Sequence, residues 1–575
     1  MDVYLSDPAA AKLAGFFEAK GLTAIKEEDR REQWYEDWVA YQAEHGLYAQ
    51  LLCPGQKSPS GGGFDLLRYA RFLELFAYFS PAHGYSLQVT FLGLIPILMG
   101  PNSDLAKEAV ATLEAGGLFA LGVSEKAHGS DLLGNEFTVT ATGRGPGQLV
   151  ANGSKYYIGN CNRASIISIL ARRADGRSGG RLRRAPFVLF ALRPNRSKGL
   201  RNVRKIRTMG VRAGFVGEFE LKDHEFPESD VIAEGRDAWD AVLGAVTLGK
   251  LFLGFGSIGI CEHALAEATV HLTGRILYGK PVIEMPHIRS TIARAYARLM
   301  AMKLYAYRAL DYVHAATEAD RRYLLFCAVQ KAKVTTEGVK VMEQLSDCMG
   351  AKGFESDTYF EMALRDIQLI PRLEGSTHIN LELTAQFIPR YFTSPDPDLT
   401  GPDSMAGGEV PHRENPYLMK ARAGGINTIG FPKYLTAYRA LMSVANVRVF
   451  VMQVRAFSLF VRSPCSKRAL DAGGETALAL GQCQATIAYA QLIAENSLRL
   501  GVPHQLISAM FDLLVTDLSF SALMLAGSPN LDAVGKVLIR RLMVPARTTL
   551  ADWNVVSERL AAFGDTPLPE AVATH

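Results

Sequence analysis

The sequence predicts an α+β fold in which helical segments flank one strand-rich block. Residues 64–79 place apolar side chains three and four positions apart, which is the spacing of an amphipathic helix. From about residue 119 the pattern changes to short β-branched and aromatic runs separated by Gly, Asn, Asp and Pro, and this block ends near Ile232. Helical periodicity returns at about residue 235. Separate helical and strand-rich blocks favour α+β over alternating βαβ units.

These changes of pattern predict five segments along the chain. We expect helices at residues 1–118, a β domain at 119–234 and long helices at 235–392. A Pro- and Gly-rich linker or long surface loop follows at 393–433, and a helical C-terminal extension at 434–575. The extension contains apolar helical faces, such as residues 447–461, that need a partner surface. We therefore expect the extension to pack on the preceding helices or on a neighbouring subunit.

The composition argues against nucleic-acid binding by the whole surface and against a membrane-spanning protein. The 575 residues are 48% hydrophobic, which allows a large core, and the net charge of +4 is small for this length. The most apolar short stretch, Phe91–Met99, is far below the roughly 20 residues that span a bilayer. We interpret it as a buried core helix with a proline kink.

The N-terminus and the cysteines predict a cytoplasmic protein. The first residues carry acids early and lack the basic-then-apolar order of a signal peptide. The seven cysteines are odd in number, and no two have CxxC spacing. We expect reduced thiols with neither a disulfide framework nor a metal site.

The stretch PRLEGSTHIN, residues 371–380, raises a specific question, because it places one carboxylate at a junction of small residues between two helical segments. Taken locally, it is a helix end in which Gly375 relieves the backbone and Ser376 or Thr377 caps the next helix. A catalytic carboxylate is the alternative interpretation. The local sequence favours the helix end, and only the rest of the chain changes that balance.

Six short motifs occur in collinear order and together resemble those of the acyl-CoA dehydrogenase family over roughly residues 60–392. They are SEKAHGSD (124–131), NGSKYYIGN (152–160), the pair of strands from MGVR to ESDVI (209–232), GRILYGK (274–280), GAKGF (350–354), and ALRD followed by LEGSTHI (363–366 and 373–379). Each motif alone is a weak signal. Their common order and plausible spacing argue against a chance match.

The resemblance implies a fold and an activity. The fold is an N-terminal helical domain, a middle β-barrel-like domain and a C-terminal four-helix bundle, with FAD held between the last two, usually in a homodimer or homotetramer. The activity is FAD-dependent α,β-dehydrogenation of an acyl thioester, acyl-CoA to trans-2-enoyl-CoA. A base removes the α-proton and a hydride passes to flavin N5, because no side chain accepts a hydride.

The resemblance also implies a role for individual residues. Glu374 matches the catalytic base that takes the α-proton. Ser130 matches a position beside the pantetheine arm, and Lys250 stands where the family has a substrate-side arginine. The implied cofactor-binding residues are Val123, Ser124, Tyr157, Gly159, Arg275, Tyr278, Gly350, Gly353 and Ser376.

Several positions depart from the family pattern. Gly159 replaces a threonine near flavin N5, which leaves the flavin potential and the reactivity with oxygen open. Ala351 replaces a glycine of the Gly-rich loop, Asp347 a glutamine just before it, and Lys126 the proline of T-E-P. The chain is therefore a divergent member, and its substrate need not be a straight-chain acyl-CoA.

A basic segment adds a second question. Between Lys155 and Arg212 there are 16 Lys and Arg against one acid, Asp175, and residues 172–184 are the densest part. This run is either a solvated hairpin tip or a docking surface for an anion: the CoA phosphates, an acidic acyl carrier protein, or nucleic acid.

Four functions remain open on the sequence. The first is a dehydrogenase that passes electrons to an electron-transfer flavoprotein, and the second is an oxidase that uses O2. The third acts on a carrier-protein thioester. The fourth is a DNA-binding flavoprotein of the alkylation-response branch, against which Glu374 argues.

Overall fold

The computed structural model describes residues 2–53, 64–142, 145, 147–174, 185–408, 414–420 and 424–564. The chain forms two compact units, Met1–Phe252 with His412–Gly424 and Leu253–Pro411 with Gly425–His575. The division falls inside the long helix that follows the β block. The five predicted segment boundaries stay predictions, while the order helices, sheet, helices is confirmed.

The first unit begins with seven helices. They are α1 Asp2–Leu5, α2 Pro8–Arg31, α3 Glu36–Glu44, α4 Leu47–Leu52, α5 Leu66–Phe79, α6 Pro81–Met99 and α7 Ser103–Glu114. Helix α5 confirms the amphipathic segment predicted over residues 64–79. Its first turn is capped by Asp65, whose carboxylate accepts hydrogen bonds from the Leu67 and Arg68 amides.

Helix α6 confirms the prediction of a buried helix with an internal proline. Pro96 lies inside the helix, and Phe91, Leu94 and Ile95 are fully buried. Among the described residues, α6 and two later helices, Gly235–Gly274 and His504–Gly527, are long and apolar enough to cross a membrane. Between 67% and 78% of each apolar window is buried inside the protein, so core packing accounts for most of their hydrophobicity.

A mixed sheet follows these helices. Its strands are β1 Leu118–Gly122, β2 Thr138–Ala141, β3 Gln148–Gly159, β4 Ala164–Arg173, β5 Phe187–Leu192, β6 Leu200–Lys205, β7 Val216–Pro227 and β8 Val231–Glu234. They pair in the order β6-β7-β3-β2-β4-β5-β8, and β1 pairs in parallel with β4. The core beside the sheet contains Phe137, Ile167, Phe190 and Phe219. Helix α8, Gly235–Gly274, continues directly from β8.

The described part of the second unit is helical apart from one short hairpin and an isolated bridge between Pro395 and Phe431. After α8 come β9 Ile276–Leu277, β10 Lys280–Pro281, α9 Pro286–His314, α10 Tyr323–Val329, α11 Thr335–Met349, α12 Tyr359–Asp366, α13 Thr377–Ala385 and α14 Ile388–Thr393. The extension contains α15 Ala445–Val461, α16 Pro464–Asp471, α17 Gly474–Arg499, α18 His504–Gly527, α19 Ala533–Arg540 and α20 Leu550–Gly564.

The extension packs on the bundle, as its apolar faces predict. Helix α17 contacts α9 and α13, and α18 contacts α9. Polar contacts fix this packing, because the Arg308 Nε donates to Glu495 Oε2 at 2.9 Å and the Asn496 Nδ2 donates to the Leu304 carbonyl at 2.8 Å. The extension is therefore an integral part of this unit.

A buried ion cluster joins α9 and α11 to α18. Glu337 pairs with Arg298, with Lys333 at 3.0 Å and with Lys340 at 2.8 Å, and Lys333 also pairs with Asp517 at 2.5 Å. Burial raises the pKa of Glu337, but Lys333, Arg298 and Lys340 together bring it well below its usual range. The carboxylate is therefore charged in the folded protein.

Replacing this carboxylate should destabilise the protein strongly. Glu337→Gln leaves the buried cations Arg298 and Lys333 with Asp517 alone in place of two shared carboxylates, so we expect a loss of about 3–5 kcal/mol in the free energy of unfolding. Because the folded-state pKa is depressed, this stabilisation is present above the usual glutamate pKa and is lost as pH falls through the folded value. Denaturant unfolding near neutral pH measures the loss. The matched control is Glu343→Gln, on the exposed side of α11, and an equal effect of both substitutions would contradict the account.

Candidate active site

The predicted site residues fall into the two units, and each set is described by itself. Val123, Ser124, Ser130, Tyr157, Gly159 and Lys250 belong to the first unit, and Arg275, Tyr278, Gly350, Gly353, Glu374 and Ser376 to the second. Their roles stay predictions, and the structure shows the local geometry of each.

The loop after β1 is tied to β3 by three hydrogen bonds. The Ser124 Oγ donates to the Tyr156 carbonyl at 2.6 Å, the Tyr156 amide donates to the Ser124 carbonyl at 3.0 Å, and the Lys155 Nζ donates to the Val123 carbonyl at 3.0 Å. The first and second predicted motifs are therefore brought together. Val123 and Ser124 lie beside the strand that carries Tyr157.

A buried ion pair supports this loop. The Lys155 Nζ lies 2.9 Å from Glu125 Oε1, and the Glu125 carboxylate also accepts from the Glu136 amide at 2.8 Å and the Phe137 amide at 3.1 Å. Burial lowers the pKa of Lys155 to about 8, and Glu125 opposes this shift. Both residues lie within the sequence motifs, but the motifs indicate no role for them. The contacts in the folded chain show that the Lys155–Glu125 ion pair holds the loop after β1.

Tyr157 lies at a bulge in β3. The register with β7 shifts between Tyr156 and Ile158, and Tyr157 has φ of 63°. Positive φ is uncommon for a residue with a side chain. The Tyr157 ring is 61% exposed although it belongs to a central strand. The bulge thus turns a flat aromatic surface out of the sheet, next to Ser124.

Gly159 ends the same strand in close contact with α6. A Cβ at this position would lie 2.7 Å from both Tyr85 Oη and Val89 Cγ2, so a larger residue does not fit without movement. The phenol of Tyr85 therefore stands where the family threonine side chain would begin. The sequence did not indicate Tyr85, because it is distant in the chain and belongs to no motif.

The two remaining predicted residues of this unit show less. Ser130 is exposed, in the turn that follows the closed pair of hydrogen bonds between Glu125 and His128. Lys250 is partly buried on α8.

Glu374 has a strained backbone. Its φ is 51°, and Gly375 follows with φ of 86°, so the chain enters the left-handed region twice in succession. The Asn380 Nδ2 locks this turn by donating to the Gly375 carbonyl at 2.9 Å and to the Ser376 carbonyl at 3.0 Å. Glu374 is partly exposed between the short turn Ile370–Arg372 and α13.

The structure therefore supports one part of the helix-end interpretation and not the other. Gly375 does relieve the backbone, and Ser376 is the N-cap residue of α13, but its side chain makes no capping hydrogen bond. The Thr377 Oγ1 donates instead to the Pro371 carbonyl at 3.5 Å. The Asn380 side chain closes the turn by donating to two carbonyls, which is a different task from capping the free amides of α13. A helix end alone does not require a glutamate at positive φ, since glycine or asparagine would adopt that conformation at lower cost.

Arg275 and Tyr278 lie on the exposed β9–β10 hairpin. Tyr278 and Gly279 form its turn with φ of 52° and 79°, and the Tyr278 side chain is 96% exposed. Burial lowers the pKa of His271, and the charges of Arg275 and Lys352 lower it further. The hairpin and the Gly350–Phe354 turn are therefore at the same end of the unit.

The Gly350–Phe354 turn combines backbone freedom with an exposed ring. Gly350 has φ of 60°, and a Cβ on Gly353 would lie 2.9 Å from the Met349 Cβ. Phe354 is 91% exposed. Asp347, which stands where the family has a glutamine, is also exposed.

Most of the densest part of the basic segment, residues 172–184, lies outside the described residues, which omit 175–184. Its first two arginines are structural. Arg172 is buried against the Phe187 ring and donates to the Ala185 and Leu133 carbonyls at 2.7 Å, and Arg173 pairs with Glu234 at 2.9 Å. Other basic residues of this segment pair with acids from elsewhere in the chain: Arg163 with Glu36, Arg193 with Glu108 and Asp230, Arg204 with Glu218, and Arg207 with Glu32.

Known proteins match the fold and the motif order. Acyl-CoA dehydrogenase from Bacillus subtilis (strain 168) is 24% identical over 349 residues, 60% of this chain and 87% of its own. The structure of an acyl-CoA dehydrogenase complexed with FAD from Bacillus anthracis superposes with a TM-score of 0.72 at 17% identity, over 96% of this chain and 95% of that one. Butyryl-CoA dehydrogenase from Megasphaera elsdenii gives 0.60 at 21% identity, over 66% and 97%.

Two family models match the chain itself. Residues 120–224 match the acyl-CoA dehydrogenase middle domain, and residues 237–388 match the acyl-CoA dehydrogenase C-terminal domain. These ranges contain the sheet with Tyr157 and the helices with Glu374. Over these residues the chain therefore matches the middle and C-terminal domains of acyl-CoA dehydrogenases, and the relatives named above are acyl-CoA dehydrogenases.

Proposed function

We propose that the protein dehydrogenates an acyl-CoA thioester between its α- and β-carbons, with FAD as cofactor and Glu374 as base. The observation that carries this proposal is the pair of left-handed residues at Glu374 and Gly375, locked by Asn380. A non-glycine residue held at positive φ costs of order 1–3 kcal/mol. Strain of this kind is common at functional sites, where neighbouring structure holds a side chain that local preference would place elsewhere.

The residues present fit FAD. Tyr157 offers an exposed ring beside the Ser124 backbone, Gly350 and Gly353 permit close approach of a ligand to the main chain, and Arg275 is an exposed cation for a diphosphate. When bound, FAD supplies the hydride acceptor that no side chain provides. Val123 and Ser124 would orient the flavin ring, and the Lys155–Glu125 pair keeps their loop in place.

Glu374 would perform the proton transfer. Its carboxylate takes the α-proton, and its backbone amide donates to the thioester oxygen as negative charge develops there. The acyl-CoA dehydrogenase of B. anthracis, whose structure is a complex with FAD, supports FAD as the cofactor.

We further propose a homodimer or homotetramer in the cytoplasm, with an electron-transfer flavoprotein as electron acceptor. Tyr278 and Phe354, both more than nine-tenths exposed, mark the hairpin end of the second unit as a surface that a neighbouring subunit covers. All seven cysteines are buried thiols outside any disulfide bond, which suits a reducing compartment.

Tyr157 should contribute to FAD binding. Aromatic ring contacts contribute about 0.5–1.5 kcal/mol beyond burial, so Tyr157→Ala should raise the FAD dissociation constant roughly three- to tenfold. Titration of the apoprotein, followed by flavin fluorescence, measures this and should saturate at one FAD per chain. Val203→Ala, at an exposed position on β6, is the control. An unchanged affinity in the Tyr157 variant would remove this residue from the site.

Glu374→Gln should abolish flavin reduction while leaving FAD bound. The substitution keeps shape and backbone but removes the basic oxygen, and a general base contributes roughly 10²–10⁴-fold. Anaerobic mixing with a series of acyl-CoAs, read by loss of flavin absorbance, measures the rate. Glu382→Gln, an exposed carboxylate on α13, should behave like the wild type.

A Glu374→Gln variant that bleached at the wild-type rate would reject the assignment. The base would then be sought on α8, where Asp240 and Glu262 are the carboxylates to test. Asp240 pairs with Arg236 at 3.3 Å, and Glu262 pairs with Lys303.

Oxidase activity is a second candidate, favoured by one observation. Gly159 lacks the family hydroxyl, and Tyr85 Oη occupies the adjacent space. We expect the reduced protein to pass electrons faster to an electron-transfer flavoprotein than to O2. Rapid mixing of the anaerobically reduced protein with each acceptor decides this. Fast reoxidation by O2 with stoichiometric hydrogen peroxide would make the protein an oxidase.

A further inference from the structure

Three side chains with metal-ligating atoms meet in the first unit, outside the candidate active site. They are Glu28 in the last turn of α2, Asp37 in the first turn of α3 and His83 in the first turn of α6. One ligand atom of each lies within 4.8 Å of the other two. His83 is fully buried, Glu28 is mostly buried and Asp37 is exposed. The three helices thus bring an imidazole and two carboxylates together from distant positions in the sequence.

The imidazole of His83 is held in one orientation. Its Nδ1 lies 2.7 Å from Ser80 Oγ, the Tyr35 ring stacks on it with centroids 4.3 Å apart, and the Phe17 ring meets it edge-on at 5.1 Å. Histidines that bind metals are commonly fixed in this way, by a hydrogen bond to the ring nitrogen that does not touch the ion. The arrangement leaves Nε2 as the ring nitrogen that faces Glu28.

His83 and Glu28 meet without satisfying each other. His83 Nε2 and Glu28 Oε2 are both buried and lie 3.3 Å apart. Their geometry is not that of a hydrogen bond, and neither atom has a hydrogen-bond partner among the described residues. Burial lowers the pKa of His83, although Glu28 opposes this shift, so the ring is neutral. Buried polar atoms are almost always satisfied, and these two atoms therefore point to a ligand between them.

The spacing of the two atoms fits a single metal ion. Nitrogen and oxygen ligands lie about 2.0–2.1 Å from Zn²⁺, so two ligands of a tetrahedral ion are about 3.3–3.4 Å apart. The 3.3 Å between His83 Nε2 and Glu28 Oε2 matches this separation. The Asp37 carboxylate lies within 4.8 Å of a ligand atom of each, and its exposed side chain can approach by a change of rotamer.

Lys20 binds one side of the same cluster. Its Nζ pairs with Glu28 Oε1 at 2.5 Å and with Asp37 Oδ2 at 2.7 Å. One ammonium thus faces two carboxylates, which leaves an excess of one negative charge in the cluster. Because Lys20 pairs with Oε1 of Glu28, it does not fill the space between Oε2 and His83. A second cation therefore has both a vacant pair of ligands and a charge to neutralise.

We propose that Glu28, Asp37 and His83 bind one Zn²⁺ ion, and that Lys20 releases Asp37 when the ion enters. A neutral imidazole beside two carboxylates suits zinc, whereas Ca²⁺ and Mg²⁺ prefer oxygen ligands alone. The site departs from the expectation of no metal site, which rested on the cysteines, since no cysteine takes part. It is independent of the activity proposed above, because none of its residues belongs to the candidate active site.

The ion would act as a structural link. It would join the end of α2 to the beginnings of α3 and α6. The end of α2 in turn holds the segment that connects β6 to β7, since Asp29 Oδ1 accepts from the Arg212 amide at 3.0 Å and the Glu32 carbonyl accepts from the Lys205 Nζ at 2.8 Å. Zinc should therefore stabilise the helices and this connection together.

Zinc titration of the full-length, FAD-loaded protein, kept reduced by a phosphine, tests the proposal. Competition with a chromophoric chelator should report one tightly bound Zn²⁺ per chain. X-ray absorption of the zinc-loaded protein should show imidazole nitrogen and oxygen at about 2.0–2.1 Å, without sulfur at about 2.3 Å. Zinc should also raise the Tm of the protein, because a ligand that binds only the folded state stabilises that state.

Variants at exposed positions separate the site from misfolding. Asp37→Asn should weaken zinc binding by at least the roughly 10- to 100-fold that is typical for loss of a supporting group, and should abolish the rise in Tm. Lys20→Met removes a cation that competes for the same carboxylates and should strengthen binding about tenfold. The matched controls are Asp104→Asn on α7 and Lys12→Met on α2, which alter exposed charges elsewhere and should bind zinc like the wild type.

Three results would overturn the proposal. The first is a wild-type protein that leaves zinc on the chelator while Lys20→Met removes it, because Lys20 would then be the resident cation of the cluster. The second is zinc binding that Asp37→Asn leaves unchanged. The third is sulfur in the coordination shell, which would assign the bound zinc to the cysteines.

Discussion

The left-handed turn at Glu374 and Gly375 is the constraint on which the proposed chemistry depends. Two successive residues at positive φ do not form without support, and the support is specific: the Asn380 side chain reaches back from α13 and donates to the Gly375 and Ser376 carbonyls. The backbone at Glu374 is thus held in the left-handed region by its neighbours. A reaction that needs a base and an amide donor from one residue requires such a turn.

The same device recurs at other predicted site positions. Tyr157 and Tyr278 also have positive φ, the first at a bulge in β3 and the second in the β9–β10 turn, and both present rings to solvent. Beneath the first of them, the buried Lys155–Glu125 pair ties the loop of Val123 and Ser124 to the strand. Rigid elements carry the strain, and the exposed groups are those that a ligand or a neighbouring subunit can use.

Periodicity and motif order predicted a large part of this from the sequence. Helix α5 and the strand block were visible because helical and strand spacing are local properties, and Glu374 was singled out because six motifs keep the family order. The strained φ of Glu374 was not visible, and neither were the hydrogen bonds from Asn380 that close the turn, since hydroxyls at Ser376 and Thr377 satisfied the usual cap pattern. Local composition cannot show that a hydroxyl is turned elsewhere.

Contacts distant in sequence set the limit of prediction. Tyr85 meets Gly159 across 74 positions, and the basic segment from Lys155 to Arg212 finds acids such as Glu36, Glu108 and Glu32 from the N-terminal helices. Counting charges along the chain therefore overestimates the positive charge that the described part of this segment leaves without an acidic partner. The exposure of Met452 on α15 and of Phe520 on α18 was hidden for a different reason, because a helical apolar pattern does not show which residues stay uncovered.

Exchange of the α-hydrogens of a bound acyl-CoA with D2O tests the central assignment most directly, since it reports on the base without requiring electron transfer. The FAD-loaded wild type and the Glu382→Gln control should incorporate deuterium at the α-carbon, detected by mass spectrometry, and Glu374→Gln should not. Equal incorporation by Glu374→Gln and the wild type would show that another group removes the proton.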